Sequence, residues 1–497
     1  MTMLAQVTTT AASHPPLSFG PLGPELILVG TAIVLMLLDA LVPTEDQRPA
    51  VFLSLAGVAV AAAWSVHLWS WKGPATVLGG MVAADRFSVF FRLVLLGVAA
   101  IAILLSYHYL DRAHEARGEY YPLLLFATAG MTLITAASDL IVVFLALEVL
   151  SLSLYLMTGF SFRRLASAEA SMKYFLLGAF SSAFFLYGLA LAYGATGTTN
   201  LSGIAAKLSG QVGPLALALG AAGLLGVGFF FKVAAAPFHM WTPDAYQGAP
   251  TCVTAFMSAG TKVAAFGAFL RVFTVAFSPL AWDWHPFVYV IAGVSIVFGS
   301  VVAIAQTNVK RMLAYSSVAH AGFILVGVTA ASQRGIEAAM FYLAAYAAMI
   351  LGAFGIVELV SVRGEANVTL RSYTGLARRD PFLGAALALF LLSLAGIPPT
   401  AGFIAKVTVF AAAIQAGHWP LALLGVLGSV IAAFFYIRVI VLMYMREYEP
   451  EPDEVPGLER GPVGRVAILI PAVLTVLFGV FPGILFGVLH SASVIRF

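Results

Sequence analysis

Five charged side chains lie inside long apolar stretches of this sequence. They are Glu148, Lys173, Lys232, Lys262 and Lys406. A charged group at the centre of a membrane-spanning helix costs about 2.5–3.5 kcal/mol on insertion scales, so the five together oppose insertion by on the order of 15 kcal/mol. Lys232, Lys262 and Lys406 are flanked on both sides by eleven mostly apolar residues, which is a poor setting for snorkelling to a helix end. We therefore expect these charges to have a functional role.

The chemistry that suits such residues is proton transfer. Desolvation favours the neutral form of a lysine, and a nearby carboxylate favours the charged form. A buried lysine whose carboxylate partner moves can therefore take up and release a proton. Glu148 could form this switch with Lys173 or with Lys232, and the sequence does not choose between them. Four lysines on separate helices, with one glutamate, predict a proton relay instead of a single substrate pocket.

Two histidines are candidates for carrying protons between the lysines, because imidazole titrates near neutral pH. His239 follows a proline in AAAPFHMW, and His320 lies in AYSSVAHAGF. A buried histidine can equally be a hydrogen-bonded core residue, so both alternatives stay open. Four arginines are instead expected to snorkel from helix ends. They are Arg86, Arg92, Arg271 and Arg438.

The composition identifies the elements that must position these side chains. Of the 497 residues, 61% are hydrophobic and 10% are charged, against about 25% charged in a soluble domain, and the mean hydropathy is +0.97. This predicts an all-α polytopic membrane protein. The single cysteine, Cys252, excludes an intrachain disulfide and a cysteine-ligated metal or iron–sulfur site within the chain. The net charge of +3 is dispersed, so no nucleic-acid partner is expected.

Apolar runs predict about 14 transmembrane helices in one membrane domain spanning residues 1–497. The first 24 residues lack the basic start of a signal peptide, so the first run is expected to be a retained helix. The longest polar connections, 361–380 and 445–464, are interpreted as loops. The predicted spans are 25–42, 50–69, 85–110, 119–138, 139–160, 167–195, 214–247, 250–273, 287–305, 310–330, 335–360, 380–417, 420–444 and 465–492.

Loop charges predict the orientation, because cytoplasmic loops carry an excess of Lys and Arg. If the N-terminus is outside, the inner loops contain fourteen basic residues and the outer loops five. Both termini are therefore expected on the outer side. The inner set is Arg48, Arg112, Arg117, Arg163, Arg164, Lys310, Arg311, Arg363, Arg371, Arg378, Arg379, Arg446, Arg460 and Arg465. The outer set is Lys72, Arg86, Lys207, Arg334 and Arg496.

An internal repeat is indicated by EASMKYF at 169–175 and EAAMFYL at 337–343, which are 168 residues apart. The seventh and twelfth spans also match, since both are too long for a straight crossing and contain prolines, Pro237 in one and Pro398 and Pro399 in the other. The predicted architecture has N-terminal helices at 25–110, five-helix repeats at 119–273 (spans 4–8) and 287–444 (spans 9–13), and a C-terminal helix at 465–492. An odd number of helices inverts the second repeat, and helices 7 and 12 are discontinuous.

Pro237 has a mechanical consequence for Lys232. It leaves backbone carbonyls unpaired one turn earlier, near Val233. Non-helical backbone at this depth is tolerated only against protein or water, so we expect a wet gap beside Lys232. The sequence has no G-x-x-x-x-G-K-[ST], G-x-G-x-x-G or C-x-x-C motif. The chain is therefore expected to move ions without redox or hydrolytic chemistry of its own, using a gradient or a partner for energy.

Several segments closely resemble a known family. They are FFFKVAAAPFHMWTPDAYQGAPTCVTAFMSAGTKVAAFGAFLRV, LALEVLSLSLYLMTGF, RRLASAEASMKYFLLGAFSSAFFLYG and LSLAGIPPTAGFIAKVTVF. Over residues 85–445, in the same order, they resemble the chain N family of bacterial proton-translocating NADH:quinone oxidoreductase, respiratory complex I. The related L and M families typically have a tryptophan before the glutamate, where this sequence has Leu147.

The resemblance implies an antiporter-like subunit of the complex I membrane arm, in the bacterial inner membrane. It implies that Glu148 and Lys173 form a charge pair modulating Lys232, the central proton carrier. Lys262 would link to the second half, and Lys406 would be the outlet group. No cofactor is implied in this chain, because electrons would pass from NADH through FMN and iron–sulfur clusters to quinone in partner subunits. The implied partners are chains M, K and J, the long lateral helix of chain L, and membrane lipids.

The sequence is also compatible with two alternatives to a redox-driven proton-pumping subunit. One is a subunit of a multisubunit cation/proton antiporter, which would couple proton flux to sodium or potassium. The other is a structural subunit of the membrane arm that does not conduct.

Overall fold

The computed structural model describes residues 18–42, 46–113, 115, 117–210, 213–361, 368–447 and 461–495. Predictions about residues 1–17, 362–367 and 448–460, including those on Arg363 and Arg460, lie outside the described residues, as does Arg496. Within the described ranges the chain is almost entirely helical, with one β-hairpin of β1 (Thr76–Val77) and β2 (Val82–Ala83).

The helices run as follows: α1 (Gly23–Leu41), α2 (Arg48–Leu68), α3 (Arg86–Ala113), α4 (Tyr120–Ala136), α5 (Leu140–Thr158), α6 (Leu165–Thr196), α7 (Leu201–Ser209), α8 (Leu215–Lys232), α9 (Trp241–Gly248), α10 (Thr251–Val275), α11 (Ala281–Ile304), α12 (Val309–Thr329), α13 (Gln333–Val360), α14 (Leu376–Arg379), α15 (Pro381–Ala395), α16 (Ala401–Gln415), α17 (Trp419–Met445), α18 (Pro462–Val480) and α19 (Pro482–Ala492).

The predicted all-α membrane architecture is confirmed. Among the described residues, 12 helices are long and apolar enough to cross a membrane. Shorter apolar helices, such as α4, α15 and α16, occupy the other predicted spans. The total of fourteen crossings stays a prediction. The short helix α7 was not foreseen, and it begins where the Asn200 side chain accepts a hydrogen bond from Gly203 N at 3.1 Å.

Both spans expected to be discontinuous are interrupted. The seventh consists of α8 and α9, separated by residues 233–240, and the twelfth consists of α15 and α16, separated by residues 396–400. The last span, predicted as one helix over 465–492, is also two helices. Pro482 begins α19, a position that proline favours because its missing N–H is not needed there.

A contact pattern recurs in the two predicted repeats. Asp139 and Asn200 form an isolated β-bridge, and Asn308 and Thr369 form another, each position 169 residues further along. Both Asp139 and Asn308 also cap the N-terminus of the following helix with the side chain. The offset is within one residue of the spacing between the two sequence motifs, which supports the repeat. The inverted relation of the two copies stays a prediction.

The centre of the structure is formed by α10, α12 and α13, whose most apolar windows are at least 94% buried. These helices carry Lys262, His320 and two of the tyrosines near them, Tyr342 and Tyr346. The outer helices α1, α2 and α6 are mostly exposed in comparison. The candidate site therefore lies in the most enclosed part of the molecule.

Two of the four arginines expected to snorkel do not. Arg92 is fully buried and makes two hydrogen bonds with Glu25, of 2.8 and 3.2 Å. Arg271 is buried against Asp85. The snorkelling interpretation was wrong for these two, because each guanidinium pairs with a carboxylate on another segment. The partner is far away in the sequence, so the sequence does not reveal it. Arg86 is exposed beside Trp69, and Arg438 donates to backbone carbonyls.

Candidate functional site

Lys232 is the last residue of α8, directly before the break, and only 3% of it is exposed. Its Nζ donates to Ser151 Oγ at 2.7 Å and lies 3.5 Å from Tyr155 OH. The rings of Tyr155, Tyr174 and Phe231 surround the ammonium at 5.4–5.8 Å. The cation is thus held by hydroxyl groups and aromatic faces, an arrangement that stabilises charge without a direct counter-ion.

Glu148 lies one helical turn before Ser151 on α5 and is half-buried. Its Oε1 accepts a hydrogen bond from Ser182 Oγ of α6 at 2.5 Å. The contacts of the described residues include no ion pair between Glu148 and a lysine. Glu148 is therefore one turn from Ser151, which binds Lys232, while its own carboxylate bonds Ser182.

Lys173 lies closer to the start of α6 than the residue that contacts Glu148. Its Nζ pairs with Glu169 at 2.7 Å and with Asp244 at 3.0 Å, and 46% of its side chain is exposed. Ser182, the partner of Glu148, follows Lys173 by nine residues on α6, which is about 13 Å along a helix axis. Lys173, one of the two partners left open for Glu148, is therefore not in direct contact with it, because the packing of α5 on α6 places Ser182 opposite the glutamate. The modulating charge pair that the resemblance implies stays a prediction.

Lys262 connects the broken helix to the centre of the molecule. Its Nζ donates to the carbonyl oxygen of Val233 at 2.9 Å and to that of Ser317 at 2.6 Å, and only 2% of the residue is exposed. A backbone carbonyl near Val233 was expected to be left unpaired by Pro237, and it is the one that Lys262 binds. Where a wet gap was expected, the ammonium itself satisfies this carbonyl.

His320 lies one turn after Ser317 on α12 and is 2% exposed. Its Nδ1 is 2.7 Å from Tyr342 OH, and its Nε2 is 3.2 Å from Tyr436 OH. Tyr436 OH is also hydrogen-bonded to Ser316 Oγ. Imidazole can accept a proton on one nitrogen and release it from the other, so a histidine hydrogen-bonded on both sides is suited to transfer.

Lys406 lies on α16, just after the second break, with 4% of the residue exposed. Its Nζ donates to the carbonyl oxygen of Ala395, the last residue of α15, at 2.8 Å, and lies 4.8 Å from the centre of the Phe323 ring. Gly396 has a φ of +89°, and a Cβ there would lie 2.8 Å from Lys406 Cδ. Glycine thus permits the turn and makes room for the lysine.

His239 lies away from these lysines. It is 8% exposed and packs against the rings of Phe298 and Tyr315, with centroids 4.6 and 6.4 Å away. None of its described contacts is with a lysine. The structure therefore brings His320, and not His239, into the hydrogen-bonded part of the site.

The breaks at the prolines expose the acceptors that two lysines use. Pro237 lies in the segment between α8 and α9, and Pro398 and Pro399 lie between α15 and α16. In each break a carbonyl at the end of the first half-helix binds a lysine: Val233 binds Lys262 of α10, and Ala395 binds Lys406 of the second half-helix, α16.

Several site residues were missed by sequence reasoning. Ser151, Ser182 and Tyr155 contact Glu148 or Lys232, while Tyr342 and Tyr436 contact His320. A weak signal was present in two cases, since Ser151 follows Glu148 by one turn and Tyr342 lies in the repeated motif. Tyrosine and serine are common in buried helices, so their type alone does not identify them.

Within the described ranges, no group of three or more His, Cys, Asp or Glu side chains is arranged to hold a metal ion. Cys252 is buried, and its sulfur accepts a hydrogen bond from Tyr120 OH at 3.3 Å.

Comparison with known proteins places this arrangement in a family. Residues 137–432 match the family model described as "NADH:quinone oxidoreductase/Mrp antiporter, TM". This region contains Glu148, Lys232, Lys262, His320 and Lys406.

Individual relatives cover almost the whole chain. NADH-quinone oxidoreductase subunit N of Trichlorobacter lovleyi is 45% identical over 432 residues, covering 86% of this chain and 88% of that protein. Subunit N of Chloroflexus aggregans is 44% identical over 486 residues, covering 97% and 98%. A chain in the structure of respiratory complex I from Thermus thermophilus with bound aureothin superposes with a TM-score of 0.79 at 37% identity, covering 93% of this chain and 98% of that chain. The chain belongs to the NADH-quinone oxidoreductase subunit N family of membrane proteins.

Proposed function

We propose that this membrane-arm subunit of respiratory complex I carries protons along Glu148, Lys232, Lys262, His320 and Lys406. The observation that carries the proposal is the surroundings of the three buried lysines. Within the described residues, each ammonium is held by hydroxyl or carbonyl oxygens and by aromatic rings, without a carboxylate in direct contact. A buried cation without a counter-ion loses its proton at much lower cost than a paired one.

The order of the groups supports transfer from one to the next. Lys232 is followed by Val233, whose carbonyl binds Lys262. Lys262 also binds the carbonyl of Ser317, one turn from His320. His320 on α12 is hydrogen-bonded to tyrosines of α13 and α17, and Phe323, one turn later on α12, faces the Lys406 ammonium. The groups therefore follow one another through the buried centre, with Phe323 the described side chain on α12 next to the Lys406 ammonium.

Glu148 is proposed to control the first lysine. Its charge favours the protonated form of Lys232 when the carboxylate is close, and less so when it moves away. Ser182 bonds the carboxylate and Ser151 bonds the ammonium, so the two charged groups have separate partners. A displacement of α5 against α6 would therefore change the protonation of Lys232 without breaking a direct ion pair.

Lys173 is proposed to act at the inner end of the same half. It pairs with Asp244 on α9, which also accepts from Arg311 Nη1 at 2.7 Å. This cluster of charges lies beside the second half of the broken helix and is partly exposed. It is suited to receiving protons from the inner side and to fixing the orientation of α9.

Energy and cofactors are proposed to come from other subunits. Electrons would pass from NADH through FMN and iron–sulfur clusters to quinone outside this chain. The proposed neighbours are chains M, K and J and the long lateral helix of chain L, in the lipid of a bacterial inner membrane. Both termini are proposed to lie on the outer side, as the loop charges predict.

The test is NADH-driven proton pumping by the assembled complex in vesicles. Lys232→Ala should lower the number of protons moved per electron pair, while Lys207→Ala, which changes an exposed lysine on α7, should leave it unchanged. Pumping by correctly assembled Lys232→Ala complex at the original stoichiometry would contradict the proposal and favour the structural alternative. Sodium- or potassium-coupled proton flux would instead favour the multisubunit antiporter that the family description includes.

A further inference from the structure

A polar cavity of about 230 Å³ opens beside the β-hairpin, where α4 and α10 end and α5 begins. It is lined by Gly79 and Gly80 of the hairpin turn, by Ser138 and by Asn200. The side of the cavity formed by α10 contributes Arg271. The loop charges predict that this face of the molecule is the outer one.

Arg271 is the charged residue in the lining of this cavity. Its guanidinium donates two hydrogen bonds to Asp85, of 2.9 and 2.8 Å, and a third to the carbonyl oxygen of Thr135 at 2.9 Å. The side chains of Arg271 and Asp85 are 1% and 0% exposed. One arginine thus joins α10 to the start of α3 and to the last turn of α4, where a positive charge is favoured by the helix dipole.

A tightly packed layer separates Arg271 from Lys262. The two residues are nine positions apart on α10, about 13 Å along the helix axis. Between them lies Gly267, where a Cβ would be 2.9 Å from Thr135 Cγ2 and 3.1 Å from Phe91 Cδ1. These distances are shorter than ordinary contacts, so α3, α4 and α10 leave little free space at this level.

We propose that Arg271 and Asp85 form a seal that keeps water in the cavity from reaching Lys262. The proposal rests on the proposed function, because a seal matters only if Lys262 carries protons. A cavity of this size has room for several water molecules. A guanidinium is not deprotonated in proteins, and a bidentate pair occupies both carboxylate oxygens, so the pair does not pass protons on. Protons on Lys262 would then be confined to the buried path.

A related contact occurs in the second repeat. Arg438 on α17 lies 167 residues after Arg271, and its guanidinium donates to the carbonyl oxygens of Ile304 and Gln306 at 3.0 and 3.1 Å. Ile304 is the last residue of α11, as Thr135 lies in the last turn of α4. Both arginines therefore bind the end of the first helix of their repeat. Because Asp85 precedes the repeats, only Arg271 gains a carboxylate from outside them.

A purely structural ion pair is the alternative, and the molecule provides a control for it. Arg92 and Glu25 are also buried and hydrogen-bonded twice, but they join α1 to α3 and do not line the cavity. If burial of an ion pair were all that mattered, breaking either pair would have the same effect on proton leakage. The seal predicts different effects.

The experiment measures passive proton leak through the assembled complex in vesicles, with an imposed pH gradient and no NADH. Asp85→Asn retains an acceptor for Ser88 N but leaves the buried guanidinium without its counter-ion. The uncompensated guanidinium charge then draws in water. We expect a leak at least tenfold faster than in the unchanged complex. Glu25→Gln should change the leak less than twofold. The double variant Asp85→Asn/Arg271→Met removes the buried charge and should return the leak to within twofold of the unchanged complex.

Two further variants make the outcome decisive. Adding Lys262→Ala to Asp85→Asn should abolish the extra leak, because the path beyond the seal is interrupted. Arg271→Lys keeps the positive charge but cannot pair with both oxygens, so it should also leak more than Glu25→Gln. If assembled Asp85→Asn and Arg271→Lys complexes leak no more than Glu25→Gln, the seal is disproved, whereas the proposed function stands or falls separately on pumping by Lys232→Ala.

Discussion

The ammonium of Lys262 donates a hydrogen bond of 2.9 Å to the carbonyl oxygen of Val233. Val233 directly follows Lys232, so one residue of unwound backbone lies between two lysines of the proposed relay. In a continuous helix this carbonyl would accept a bond from the N–H of residue 237, which proline lacks. The break after Lys232 and the contact of Lys262 with the Val233 carbonyl therefore have the same cause.

Replacing Pro237 tests this relationship. In Pro237→Ala, the new N–H competes with Lys262 for the Val233 carbonyl and favours a continuous helix. A hydrogen bond to a charged group contributes about 1.5–3 kcal/mol, so we expect NADH-driven pumping to fall about tenfold or more, since each 1.36 kcal/mol corresponds to tenfold in rate. Pro286→Ala, inside α11, is the control and should pump normally. Equal pumping by both variants would contradict the role of the break.

Ser151 is the closest hydrogen-bond partner of the Lys232 ammonium, at 2.7 Å. In Ser151→Ala the buried cation loses this acceptor, which should favour neutral Lys232 and slow proton uptake by about tenfold. Ser153, two residues later, bonds only to its own helix, at Val149, so Ser153→Ala is a matched control. Proton uptake in vesicles during NADH oxidation measures the difference. Similar rates in the two variants would show that Ser151 does not support Lys232.

A substitution at Glu148 can separate the effect of its negative charge from the effect of its hydrogen bond with Ser182. Glu148→Gln keeps an oxygen for the hydrogen bond from Ser182 but removes the negative charge. If the charge controls Lys232, protons pumped per NADH should fall by at least half while the assembled complex still forms. Glu169→Gln removes a 59% exposed carboxylate near the start of α6 and should have a much smaller effect. Normal stoichiometry in Glu148→Gln would leave the hydrogen bond as its only role.

Gly396 and Gly417 form a matched pair at the two ends of the α16 segment. Their φ angles are +89° and +84°, and a Cβ at Gly396 would touch Lys406 while one at Gly417 would meet nothing within 4 Å. Both alanine substitutions should cost about 1–2 kcal/mol of stability through left-handed backbone strain. Only Gly396→Ala should also displace Lys406 and lower pumping. Thermal unfolding of the purified complex and pumping in vesicles separate the two effects, and equal pumping would contradict the crowding of Lys406.

Much of the fold and part of the site could be predicted because they depend on local sequence. A charge within an apolar run is visible without knowing its neighbours, so Lys232, Lys262 and Lys406 were identified and are indeed buried. A proline removes a backbone donor wherever it stands, so the two broken helices were also identified. The resemblance of the motifs to a known family also predicted the architecture and the type of complex.

The partners of these charges were decided by the tertiary structure. Glu148 binds Ser182 and Lys173 binds Asp244, although the sequence favoured pairing the glutamate with a lysine. Arg271 pairs with Asp85, which lies 186 residues earlier in the sequence. Such contacts depend on which helices face each other and at what depth, because a nine-residue shift along one helix moves a side chain by about 13 Å. The sequence by itself determined which residues carry charge into the membrane, and the packing of the helices decided what each charge meets there.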